Sequence, residues 1–143
     1  MSTIRFYFGV AQRLAAAAEW LSQPRPQTSR VVVLCEQEDI VDRLDQLLWT
    51  KSALSFVPHC RTSSPLVAET PIWLTQTLDS AAQADTLFNL TEAVPENFSD
   101  YPEVIEVVSL DDSDRARARE RFRSYRASGH TIESINLAGG KPA

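Results

Sequence analysis

Two histidines and two cysteines are all that this 143-residue chain offers to metal or thiol chemistry. His59 and Cys60 are adjacent, Cys35 ends an apolar run and His130 lies far downstream. No CxxC spacing and no zinc pattern links them. Adjacent residues point in different directions, and no third group orients a His59–Cys60 dyad, so a catalytic role for that pair is the weaker reading. Cys35 reads as a small buried side chain, and two unpaired thiols fit a reducing cytoplasm. A glycine-rich phosphate loop is also missing. The first apolar strand runs into Gly-Val-Ala-Gln-Arg with a single glycine, and GxGxxG, GxxxxGK[ST] and GxSxG are absent. Carboxylates are scattered, with no specific acid–base pair. The longest apolar runs, LAAAA and VVVLC, are too short to span a bilayer, and MSTIRFYFGV lacks the layout of a secretory signal. Positive charge is in deficit, with a net charge of -5, which argues against broad binding of duplex DNA. No catalytic group, metal or cofactor is expected, and the location expected is cytoplasmic.

What is present is the patterning of an α/β protein. Ile4 to Phe8 (IRFYF) is aromatic and β-rich and reads as a first strand, which Gly9 is expected to end. Ala11 to Leu21 has helical spacing, with Leu14, Ala17, Ala18 and Leu21 on one side. Arg30 to Cys35 (RVVVLC) is a continuous apolar run, as in a strand covered on both faces. A second helix is expected over 37–49, with Ile40, Leu44, Leu47 and Leu48 as its stripe. Further strands are expected at 71–75, 85–90 and 103–109, and an edge strand from Thr131 to Leu137. Lys51 to His59 reads as loop, and Arg61 to Thr70 as a variable connection. The alternation β-α-β-α predicts one domain over 1–143 with a largely parallel sheet, a mixed arrangement remaining open, and helices on both faces. That topology is nucleotide-binding-like without a phosphate loop. The core is expected to hold Phe6, Phe8, Val32, Leu34, Leu44, Leu48, Ile105 and Val107, and 138–143 to fray.

The most unusual stretch is Asp111 to Gly129, DDSDRARARERFRSYRASG. Asp111, Asp112 and Ser113 suit a helix start, and Gly129 offers a stop. Six of the fourteen Lys and Arg residues (Arg115, Arg117, Arg119, Arg121, Arg123 and Arg126) sit here, in an otherwise acidic protein. At about 100° per residue, Arg115, Arg119, Phe122, Arg123 and Arg126 share one arc, flanked by Ala118 and Tyr125 turning inward. The bland reading is a solvated face paired with local carboxylates. Against it, Glu120 is the one carboxylate of the helix after its first turn, so most of these arginines need partners from elsewhere in the fold or from another molecule.

Two segments carry a family resemblance. RLDQLLWTKSALSFVPH, residues 43–59, joins a helix end and a Trp to Phe-Val-Pro-His across a short spacer. RARERFRSYRASGH, residues 117–130, has the pattern Arg-Glu-Arg-aromatic-basic-x-Tyr-Arg. With VVVLCE leading into the first, the chain resembles the chi subunits of bacterial DNA polymerase III over nearly its full length, residues 60–100 carrying least of the likeness. The resemblance implies a non-catalytic accessory subunit of the clamp-loader complex. It implies two partners: a subunit called psi, and the acidic C-terminal tail of single-stranded DNA-binding protein (SSB), which ends in an apolar residue with a free carboxylate. Such a tail calls for cations and an apolar slot, and Arg119, Phe122, Arg123 and Arg126 with Val108 are the residues expected to supply them. Tyrosine and lysine are common in the family at the positions of Phe122 and Arg123, so a phenolic contact is lost here. Trp49, Phe56 and Pro58 are the residues the resemblance assigns to psi. Two other readings differ in class. One is a single-stranded nucleic-acid binder stacking bases on Phe122, Trp49 and Phe56. The other is an enzyme clamping a phosphorylated ligand with its arginines, for which no base or nucleophile is in evidence.

Overall fold

Val31, Val32, Val33 and Leu34 are all buried, and an apolar run with no polar alternation must be covered on both faces. The computed structural model supplies that cover. It describes residues 3–21, 30–50, 59–61, 72–76, 84–95 and 98–136, with the backbone alone for 49–50 and 59–61. In chain order the elements are β1 (Thr3–Val10), α1 (Arg13–Leu21), β2 (Val31–Leu34), α2 (Glu38–Thr50), β3 (His59–Arg61), β4 (Ile72–Thr75), β5 (Thr86–Asn89), β6 (Glu103–Ser109), α3 (Asp112–Ala127) and β7 (Thr131–Asn136). A short 3-10 turn, Phe98–Asp100, precedes β6. The seven strands form one sheet in the order β3-β4-β2-β5-β6-β1-β7. Among the described residues every pairing is parallel, which closes the mixed alternative.

Alternate residues of the central strands feed two cores. On one face Val31, Val33, Phe88, Ile105 and Val107 meet Ala17, Ala18 and Leu21 of α1 and Val41, Leu44 and Leu48 of α2. On the other, Ile4, Phe6, Val104 and Val108 meet Ala118 and Tyr125 of α3. Phe6 lies 5.4 Å from the ring of Phe122 and 5.8 Å from that of Tyr125, an aromatic cluster that anchors the basic helix to the sheet. Of the expected core residues, Phe6, Val32, Leu34, Leu44, Leu48, Ile105 and Val107 are buried.

Phe8 is a correction: it is 37% exposed. It continues the face of Ile4 and Phe6, but lies at the strand's C-terminal end, where the sheet's cover opens. Gly9, at φ +82°, does not end β1 but marks a register shift between Phe8 and Val10. Such a bulge locally re-aims the strand, and only glycine takes this φ without strain. A second correction concerns His59–Arg61, expected partly as loop and observed as an edge strand beside β4. Three residues are too few for alternation to register, so pairing with Ile72–Leu74 decides the matter. Phe56, Pro58, the connection 62–71, the tail 138–143 and the Trp49 side chain lie outside the described residues.

Candidate functional site

The geometry of the site begins with the start of α3. Asp111 adopts an extended conformation and its carboxylate accepts from the Asp114 amide at 3.0 Å, an N-cap. Asp114 itself accepts from the Ser109 amide at 2.7 Å, pinning the helix to the end of β6. Gly129, at φ +82°, closes the other end through its amide to the Arg126 carbonyl at 3.0 Å. The inward face of α3 is Asp114, Ala118, Arg121 and Tyr125. Half of that face is charged, which only works if each charge finds a partner.

Arg121 finds Glu106. Its Nε donates to Glu106 Oε1 at 3.0 Å, and its Nη1 to the Glu92 carbonyl at 3.2 Å. Tyr125 Oη and Asn89 Nδ2 donate to Glu106 Oε2 at 2.6 and 2.7 Å. Glu106 therefore sits fully buried with three donors. Burial still pushes its carboxyl above the ordinary value, opposed by Arg121 and by the bonds from Tyr125 and Asn89. Tyr125 is pushed up too, first by burial and then by the neighbouring Glu106 charge. Arg121 thus leaves the ridge for the core. Helical geometry carried that signal: position 121 falls about 40° from 125 and about 60° from 118, on the same inward side. The missing clue was its partner, one glutamate inside the run Val-Ile-Glu-Val-Val.

The outward face borders a cavity of about 210 Å³. Phe6, Phe8, Val108, Ala118 and Phe122 make its walls, and Arg115, Arg119 and Ser134 its rim. Val108, Arg119 and Phe122 are thus brought together. Arg126, exposed, continues the same stripe one turn beyond Phe122. Arg123 diverges: its guanidinium pairs with Glu120 across one turn. Arg117 pairs with Glu92 at 3.4 Å, and Arg115 reaches Asp112 at a loose 3.8 Å. Arg119 and Arg126 meet no carboxylate among the described residues, so the fold leaves two guanidinium groups on one stripe uncommitted. Phe8, Arg115 and Ser134 were not foreseen as lining residues. Phe8 was assigned to the core, and Ser134 comes from an edge strand whose neighbour, β1, is more than 120 residues away in sequence.

A wider hollow of about 410 Å³ lies where β1 and β6 give way to α1 and α3. Parallel α/β sheets bind nucleotides at such places. Here Arg13 fills it from within, donating to the carbonyls of Val107 at 3.0 Å and Thr91 at 3.2 Å, with Asp114 at 3.7 Å. Asp111 and Asp114 face the same space, as do Arg43 and Arg117, so the hollow carries charge of both signs. Cys35 is buried and its thiol pushed up to about 12 by desolvation, leaving almost no thiolate near neutral pH. Among the described residues no cluster of three His, Cys, Asp or Glu is placed to hold a metal, and no helix is long and apolar enough to cross a membrane.

Residues 1–133 match the family model described as DNA polymerase III chi subunit, HolC. The chain is 31% identical over 120 residues to the DNA polymerase III subunit chi of Escherichia coli (strain K12), covering 83% of this chain and 78% of that protein. It is 29% identical over 125 residues to the protein of the same name from Haemophilus influenzae, covering 85% and 82%. The Pseudomonas aeruginosa protein of that name matches at 29% over 125 residues, covering 87% of each.

Proposed function

This chain belongs to the chi-subunit family of DNA polymerase III, and from that premise we propose that it is a non-catalytic bridge between the clamp loader and SSB. On this reading it is tethered through psi and captures the acidic C-terminal tail of SSB. One observation carries the reading: an apolar cavity whose rim holds arginine side chains, Arg119 among them unpartnered by any described residue. Phe122 and Val108 receive the tail's last side chain, Arg119 and Arg115 its carboxylate, and Arg123 joins them when its exposed pair with Glu120 opens. Such exposed pairs hold weakly, so opening one costs little. Phe122 keeps the packing that a tyrosine would give and omits its hydroxyl.

Calorimetric titration with a tail peptide tests this. Arg119→Ala is expected to weaken binding about tenfold or more, since a charge-assisted contact is lost. Affinity should also fall as salt rises, because the attraction is between partly exposed charges. Wild-type affinity in the mutant, indifference to salt, or tighter binding of an oligonucleotide than of the peptide would overturn the reading.

Psi docking is assigned to Trp49, Phe56 and Pro58, at and beyond the end of α2. Aromatic anchors dominate interfaces of this kind. Phe56→Ala is expected to weaken psi about tenfold in a pull-down or titration while circular dichroism stays native. Unchanged psi affinity would remove Phe56 from that surface.

A further inference from the structure

The cavity lies at the first half of α3, but the uncommitted charge extends past it. Arg119 lines the rim, and Arg126 lies two turns onward on the same stripe, with no partner among the described residues. In the opposite direction the surface changes sign. Asp111 and Asp112 lead the helix, and the Asp112 side chain is wholly exposed. An acidic chain leaving the cavity toward the helix start passes Arg115, already facing Asp112 at 3.8 Å, and then meets the like charge of Asp111 and Asp112, whereas leaving toward the helix end it meets Arg126. Resting on the tail-binding reading, we propose that the bound peptide runs antiparallel to α3. Its C-terminal residue sits between Phe8, Val108 and Phe122, and its upstream acids pass along the helix to Arg126.

The spacing sets which acid is met. Arg119 and Arg126 are seven residues apart, so about 10 Å along the axis. An extended peptide covers that in about three residues. The carboxylate that faces Arg126 is therefore the third or fourth before the end. Like charge at Asp112 acts as a directional barrier, because juxtaposed charges of one sign penalise the reversed orientation.

The test uses the full chain and a ten-residue acidic peptide ending in an apolar residue with a free carboxylate. Variants of the peptide carry one lysine at each successive upstream position. Arg126→Glu is expected to weaken the all-acid peptide about fivefold, and lysine at the third or fourth upstream position to restore most of that loss. Asp112→Lys should change the affinity little, and by a similar factor for every lysine-bearing peptide. If Arg126→Glu leaves affinity unchanged while Arg119→Ala still lowers it, the direction is wrong and the tail-binding reading stands. A gain of about fivefold or more from Asp112→Lys with the all-acid peptide, lost when one upstream position carries lysine, would place the peptide the other way round. If the wild-type chain does not bind the peptide at all, both readings fall together.

Discussion

Arg121→Ala is expected to cost about 3–5 kcal/mol of folding stability, because it strands a fully buried carboxylate. Total stabilities of domains this size are about 5–15 kcal/mol, so the variant should be only marginally folded. Glu106 is 0% exposed and Arg121 1%, so water cannot take over the lost contact. The penalty should depend on pH in a definite sense. The Arg121 charge pulls the Glu106 carboxyl down against burial; without it the folded-state value rises further above the ordinary 4.5. A raised folded value means stability that is present at acid pH and lost as pH climbs. Urea melts of the mutant should therefore lose ground to wild type as pH rises from about 4.5 toward neutrality. Arg121→Met combined with Glu106→Gln should recover much of the loss, since the amide oxygen can still accept from Tyr125 or Asn89 and no charge is left unpaired. A cost below about 1 kcal/mol for Arg121→Ala would mean that the pair is not the anchor of α3.

A tail peptide lacking its last residue is expected to lose about a hundredfold or more in affinity. Truncation removes the last side chain and shifts the chain-end carboxylate one residue back, out of place beside the cavity, and the two are held by different parts of the site. Phe6, Phe8, Val108 and Phe122 give the walls; Arg115 and Arg119 give the charge. An apolar side chain buried against such walls contributes about 1.5–3 kcal/mol, and a charge-assisted contact a similar amount, so their joint loss exceeds either alone. Amidating the full peptide separates them: it keeps the side chain and removes the charge, and should cost less than truncation. Calorimetry on the three peptides checks the order. Equal affinity for the truncated and full peptides would show that the cavity does not hold the chain end.

Much of this molecule is legible in one dimension. VVVLC read as a doubly covered strand, and the alternation of short apolar runs with amphipathic stretches pointed to a largely parallel sheet with helices outside, leaving the mixed alternative for the pairings to close. Asp111 and Gly129 marked both ends of α3 correctly, because capping and positive φ are local properties. The arc of Arg119, Phe122 and Arg126 followed from helical spacing alone. His59–Arg61 escaped because a three-residue strand has no period to read. Phe8 misled for a different reason: an aromatic on the inward face of a strand belongs to the core only where another layer covers it.

Periodicity thus determined the class of fold, the ends of its main helix and which arginines face outward together. Tertiary structure decided which charges remain available. Arg121 and Glu106 are 15 residues apart and meet only because β6 and α3 pack face to face. Arg123 and Arg117 find carboxylates, while Arg119 and Arg126 find none among the described residues. A charge's partner is set by distance in space, over which an unpaired carboxylate in the core costs several kcal/mol, and sequence spacing carries no measure of that distance beyond one or two helical turns.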